Sequence, residues 1–256
     1  MPPKLTICYD NLLARAVTAI SAISAASALP AAAVKNPERG YVYRSLAQAV
    51  DQALDIDLGS VQTVTAAAIA NVRLFAGGAC KLQHRGDGGS PGSAVDVATF
   101  GAEDTKSRTA LVFPTSSAHR HWRLLFTNPG AVTDYVELGY AFIGPHWEAP
   151  VTFRVPADIG RSDPSVSGAS LDGQQTFAER SRFRHAKLTF VSVTETQRTS
   201  MDDIFEAIGR RTPVFVALDP ALAWTHWLAR ITENLSHPFD IATGRYTMNL
   251  GLEEAR

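Results

Sequence analysis

Alternating apolar and polar positions dominate the chain from Leu54 to Phe142. Leu54, Ile56 and Leu58 fall on one side of an extended segment, with Asp55 and Asp57 on the other. Trp122, Leu124 and Phe126 form a second apolar stripe. Val136, Leu138, Tyr140 and Phe142 form a third. Val61 to Ala70 is small and mostly apolar, the pattern of one buried central strand. Gly77-Gly78 and the glycines from Gly86 to Gly92 mark tight turns. Short strands punctuated this way predict an antiparallel β-sandwich.

Before that core, Lys4 to Tyr9 reads as a strand. Residues 12–34 imitate a secretory signal, ending in a small-residue run, Ala-Leu-Pro-Ala-Ala-Ala. Asp10 and Arg15 interrupt its start, and little positive charge precedes it. As a membrane span it is too rich in Ala and Ser. It therefore reads as a structural segment.

After Pro145 the pattern changes. Residues 158–173 are loop-like by composition. Ala186, Leu188 and Phe190 alternate with Lys187, Thr189 and Val191, as in a long strand. Met201, Ile204, Phe205 and Ile208 recur at helical spacing. Ser200 with Asp203 predicts a capped start, and Gly209 and Pro213 predict the stop. Val214 to Leu218 reads as a central strand and Trp224 to Ile231 as another. Tyr246, Met248, Leu250 and Leu252 alternate near the end. The predicted organisation is an N-terminal strand and Ala-rich segment (1–38), the sandwich (39–147), and a second β domain (148–256) with one packed helix at about 200–209. The fold class is mainly β.

The net charge of −1 leaves no basic surplus to release counterions from nucleic acid, so no nucleic-acid specificity is expected. Arg180, Arg182 and Arg184 would share one face of a strand, as a solvated face or a subunit contact. Two cysteines, Cys8 and Cys80, cannot build a disulfide framework or a metal site by themselves.

Candidate chemistry is sparse. Gly88-Gly-Ser90-Pro91-Gly92 matches the spacing of a hydrolase nucleophile elbow. Pro91 lacks the N–H that would complete the oxyanion hole, so the match is rejected. Arg85-Gly86-Asp87 reads as a plain turn, and Asn234-Leu-Ser236 is a glycosylation triplet that matters only in a eukaryotic secretory setting. His119 and His121 offer two imidazoles on one strand face, with His146 as a third, but no matching carboxylate gives a metal spacing. Asp55 and Asp57 lie about 7 Å apart by strand rise, and an exposed polar face is expected there. Trp122 reads as core. Trp224 and Trp227 would fall on opposite faces of a strand, leaving at least one to stack on a sugar ring. No cofactor, metal or catalytic set is expected. The candidate ligand or interface residues are Trp224, Trp227, His119, His121, Arg182 and Arg184.

The order of several segments resembles a tailed-bacteriophage minor tail protein of the tail-tip or baseplate region. They are Tyr43-Arg44-Ser45, Asp55-Ile-Asp-Leu-Gly59, His121-Trp-Arg123, Tyr135-Val-Glu-Leu-Gly139, Ile143-Gly-Pro-His-Trp147, Arg182-Phe-Arg184 and Thr212-Pro-Val-Phe-Val-Ala-Leu-Asp-Pro220. The resemblance implies a galactose-binding-like sandwich followed by a β domain of tail-tube or distal-tail type. It implies a non-enzymatic structural virion protein, made in the bacterial host cytoplasm and located in the virion tail. That protein would assemble with itself in a threefold or sixfold ring or collar and with other tail proteins, away from any membrane. The alternative expectation is a carbohydrate-binding adhesin module for host-surface glycans.

Overall fold

A computed structural model describes residues 4–38, 40–86, 93–100, 109–130, 133–155, 157–169, 174–233 and 235–255. In chain order the strands begin with β1 (Thr6–Cys8), β2 (Ala19–Ala22), β3 (Tyr43–Arg44), β4 (Gln52–Val64), β5 (Ala66–Arg73) and β6 (Cys80–Arg85). They continue with β7 (Val95–Thr99), β8 (Thr109–Val112), β9 (Ser117–Phe126), β10 (Glu137–Gly144) and β11 (Trp147–Glu148). Then come β12 (Asp158–Ser162), β13 (Val166–Ala169), β14 (Gln175–Ala178), β15 (Phe183–Val193) and the helix α1 (Glu195–Ile208). The last strands are β16 (Val214–Ala217), β17 (His226–Ile231), β18 (Phe239–Asp240) and β19 (Arg245–Glu254).

The chain forms two compact units. One takes the residues through Glu148 together with Val214–Leu228, and the other takes Ala149–Pro213 with Ala229–Ala255. The break at Glu148–Ala149 lies one residue from the expected 147/148 boundary, and the make-up of the units differs in two other places. The segment 1–38 does not stand apart, because β2 pairs with β4 and Asn11 ties the N-terminal stretch to β10. Residues 214–228 return to the first unit, where β16 pairs with β1.

The first unit is a sandwich of a five-stranded sheet, β2-β4-β9-β6-β7, and a four-stranded sheet, β3-β10-β5-β8. Trp122, Leu54, Ile56, Leu82, Leu124 and Phe126 from the first sheet meet Val72, Ile69, Leu138, Ala141 and Ile143 from the second. Burying such side chains stabilises by roughly 1.5–3 kcal/mol each. Val61 to Ala70 is not one central strand. Val61 is exposed, and the chain passes from one sheet to the other at Thr65, between β4 and β5. A bulge precedes the crossing: β4 shifts register between Asp57 and Gln62, with Gly59 at φ +79°.

The third predicted stripe also divides. Leu138 lies in the sandwich core, whereas Tyr140 stacks on Phe215 at 5.4 Å and Phe142 meets the same ring edge-on at 6.3 Å. The alternation reverses at Gly139. It lies against Asn71 (φ +53°), so closely that a Cβ there would approach the Asn71 Cβ to 2.8 Å. β5 is therefore covered on both faces, which explains its run of alanines.

The Tyr-Arg-Ser and Tyr-Val-Glu segments clasp one another. Tyr43 is buried and its hydroxyl donates to the Ser24 carbonyl; burial pushes the phenol up to about 12. Arg44 pairs with Glu137, and the Val136 N–H donates to the Ser45 hydroxyl. Cys8 and Cys80 are free and buried, and burial raises both thiols, which keeps them protonated and unreactive.

In the second unit β15 lies between β12 and β19, and β19 also pairs with β18 and with the end of β17. Residues 158–173 are not simply loop, since they contain β12 and β13, and β13 pairs with β14 as a separate hairpin. The helix begins six residues before the predicted start. Thr194, not Ser200, is the cap: its hydroxyl accepts from the Gln197 N–H, and the Gln197 side chain accepts from the Thr194 N–H. Its apolar face, Met201, Ile204, Phe205 and Ile208, is buried as expected, and Gly209 ends it at φ +62°. No helix among the described residues is long and apolar enough to cross a membrane.

Candidate functional site

The six residues singled out from the sequence do not converge. Trp224 to Ile231 is not one strand. Ala223–Thr225 forms a 3-10 turn that leaves Trp224 55% exposed, and Trp227 on β17 is only 1% exposed. Trp227 is therefore core and unavailable for stacking. The basic face at 180–184 is also broken, because β15 starts at Phe183. Arg182 precedes it and pairs with Asp163 in solvent, whereas Arg184 is buried. His119 and His121 separate as well. The His119 ring stacks on His84 at 3.7 Å, and His121 turns toward Asp57, with Nδ1 3.9 Å from the carboxylate. His146 lies elsewhere, its ring edge-on to Phe113. No group of three His, Cys, Asp or Glu side chains suited to a metal occurs among the described residues. Residues 87–92, 101–108 and Asn234 lie outside the described residues, and with them the Gly88–Gly92 motif and Asp87.

The structure assembles a different site, from Asp55, Asp57 and His121. On the outer face of the five-stranded sheet, side chains align in cross-strand rungs. One rung runs Ser21, Asp55, Arg123, Gln83, Asp96. The next runs Ala19, Asp57, His121, Arg85. Strands lie about 4.8 Å apart, so each rung is a row of near neighbours.

Paired contacts hold these groups in place. Arg123 grips Asp55 through Nε and Nη2 at 2.7 and 2.9 Å, and Arg85 adds a bond to the same carboxylate at 3.2 Å. Arg120 grips Asp57 at 2.7 and 2.8 Å, and the Gly59 N–H donates to it at 2.8 Å. The bulge at Gly59 thus also fixes Asp57. Gln83 donates to Asp96 at 2.6 Å; Gln83 is buried, and its Oε1 has no hydrogen-bond partner. A cavity of about 290 Å³ opens onto this face. Ser21, Asp55, Asp57, Arg85 and His121 supply its polar walls and Ile20 part of its apolar lining.

The Arg120 hydrogen bond holds the Asp57 carboxyl at about 2, with Gly59 and the charge of Arg120 adding to the effect and partial burial opposing it. A lowered folded-state pKa gives stability that is present above the ordinary carboxylate value and lost as pH falls toward the folded value. The Asp57→Asn variant is therefore expected to unfold at lower urea than the parent at neutral pH. That gap is expected to close between about pH 4 and pH 2. Urea midpoints across that range check it; a gap that ignores pH would mean Asp57 is not held as an ion.

No protein-family model matches the chain, and none of the curated proteins matches it. Among solved structures it is similar to chitosan-binding module 1 of a chitosanase/glucanase from Paenibacillus sp. IK-5. That likeness has 21% identity and a TM-score of 0.45, and covers 54% of this chain and all of that one. It is also similar to the family 32 carbohydrate-binding module of C. perfringens NanJ in complex with galactose. Here identity is 14% and the TM-score 0.43, over 56% of this chain and 99% of that one. Module 2 of the same chitosanase/glucanase, in complex with chitotriose, shows 19% identity and a TM-score of 0.44 over 52% and 99%. Likenesses this distant do not locate a site here.

Proposed function

We propose that the sandwich is a non-enzymatic carbohydrate-binding module whose ligand lies in the groove beside Asp55 and Asp57. One observation carries this reading. Two carboxylates are each gripped by a guanidinium within an open polar groove, so acceptors and donors are fixed before any ligand arrives. Asp55 and Asp57 are matched by Arg123 and Arg120, and Arg85 adds one positive charge. Such a surface disfavours a cation and suits a ligand rich in hydroxyls. Hydroxyl groups donate to carboxylates and accept from Arg85.

The same geometry argues against Asp57 as the general acid of a hydrolase. A glycosidase needs one protonated carboxyl as general acid, and Asp57 is held at about 2. The ring or collar, the tail partners and the virion location implied by the tail-protein resemblance rest on that resemblance alone.

The test is calorimetric titration of the full chain with chitotriose and galactose, the sugars named with two of the similar structures. Binding to at least one is expected, with Arg85→Ala weakening it severalfold. A response to none of them, or one that Arg85→Ala leaves unchanged, would remove this groove as the site.

A further inference from the structure

In the second unit β12 and β15 bring together side chains that lie apart in the sequence. Asp158, Gly160 and Ser162 alternate along one face of β12, and His185 stands opposite Gly160 on β15. The Ser162 hydroxyl lies 3.1 Å from His185 Nδ1, and His185 Nε2 lies 3.9 Å from the Asp158 carboxylate. One imidazole thus meets a hydroxyl at one nitrogen and a carboxylate at the other. Gly160 makes this possible. A Cβ there would approach His185 Cε1 to 2.8 Å and Nε2 to 2.9 Å, so the ring lies across the bare backbone of β12. Gly160 is not among the glycines with positive φ. Its backbone therefore does not call for glycine, and the imidazole above it does.

A hydroxyl is a weak nucleophile until a base within about 2.6–3.2 Å takes its proton, and the base works best when a third group orients it. The Asp158 carboxylate favours the tautomer with the proton on Nε2. That leaves the Nδ1 lone pair to accept from the Ser162 hydroxyl. At 3.9 Å the carboxylate is beyond hydrogen-bond length, yet near enough to stabilise an imidazolium. Glu253, the cross-strand partner of His185 on β19, places a second carboxylate on the same face. The site is open to solvent, with the side chains of His185 and Asp158 29% and 67% exposed. Among the described residues β12 pairs with β15 alone, so N–H groups along its outer edge lack a strand partner and can meet an incoming carbonyl oxygen.

We propose that Ser162, His185 and Asp158 form an acyl-transfer site that hydrolyses small carboxylic esters. As Ser162 Oγ adds to the ester carbonyl carbon, its proton passes to His185 Nδ1. The ester C–O bond then breaks, and the departing alcohol oxygen takes that proton. Water next adds to the acyl carbon of acyl-Ser162 as one of its protons passes to Nδ1. The proton returns to Oγ as the carboxylic acid leaves. The net reaction is ester plus water to acid plus alcohol. Ser162 and His185 are the catalytic residues, and Asp158 and Gly160 position the ring. An open strand face suits esters with little bulk at the carbonyl. The chemistry is independent of saccharide binding by the first unit.

The test treats the full chain with p-nitrophenyl acetate and, separately, with a fluorophosphonate, and maps the adducts by mass spectrometry. Adducts on Ser162 are expected from both reagents, with turnover of the ester. Ser162→Ala is expected to remove both adducts and the turnover. His185→Gln is expected to slow labelling of Ser162 about a hundredfold, the lower end of what a general base contributes. Gly160→Ala is expected to slow it nearly as much with Ser162 and His185 both in place, because the new Cβ displaces the ring. Asp158→Asn is expected to slow it less and to change how the rate depends on pH, which a merely structural role would not do. Far-UV circular dichroism checks that each variant is folded. Labelling of Ser162 no faster than that of the other serines would overturn the proposal, as would a rate that His185→Gln leaves unchanged.

Discussion

Trp122→Ala is expected to destabilise the sandwich by about 3–5 kcal/mol, which is much of a typical domain's stability. Trp122 is fully buried on β9, the middle strand of the five-stranded sheet, opposite Ile56 on β4 and His84 on β6. Its indole N–H donates to the His119 carbonyl at 3.1 Å. Truncation removes the largest side chain of that layer, opens a cavity between two close-packed sheets and takes away the indole hydrogen bond to the His119 carbonyl. Trp122→Phe keeps most of the volume and is expected to cost less than half as much. Urea unfolding followed by far-UV circular dichroism measures both. A loss under about 1 kcal/mol for Trp122→Ala would mean that the layer collapses around the gap, contrary to close packing.

Much of this sandwich was legible because strand alternation reports burial directly. Leu54, Ile56, Leu58, Trp122, Leu124 and Phe126 are all buried as their period predicts. The misreadings arise where local backbone geometry breaks the period. Asn71 and Gly139 reverse the inward face of β10, and the bulge at Gly59 and the corner at Thr65 divide an apolar run between two sheets. Neither feature changes the average hydrophobicity of the segment. The helix start was hidden for another reason. Glu195, Arg198 and Asp202 fill its first two turns with charge, so the apolar period becomes visible only at Met201.

The groove was half legible. Asp55 and Asp57 stood out as one polar face, and His121 was already a candidate. Their guanidinium partners come from β9 and β6, tens of residues along the chain, and only the strand register brings them together. The aromatics misled for a related reason. Trp224 and Trp227 look equivalent in sequence, but a 3-10 turn exposes one and β17 buries the other.

The largest functional effect is expected from Arg123→Ala, although Arg123 does not line the cavity. Arg123 fixes Asp55 with two bonds and stands between it and Gln83 in the rung. Without it Asp55 keeps only the longer contact from Arg85, and its rotamer is no longer set before a ligand arrives. Asp55, released by Arg123, would also compete for Arg85 with any hydroxyl that Arg85 serves. Saccharide affinity is expected to fall at least tenfold, about 1.4 kcal/mol. The cost to folding is expected to be smaller, on the order of 1 kcal/mol or less, because the pair is partly solvated. A double-mutant cycle separates orientation from contact. If Arg123 acts by holding Asp55, Arg123→Ala should add little to Asp55→Ala, giving a coupling of about 1 kcal/mol or more. Additive losses would place Arg123 against the ligand itself. An affinity unchanged by either substitution would show that the polar face, however well ordered, is not where the sugar binds.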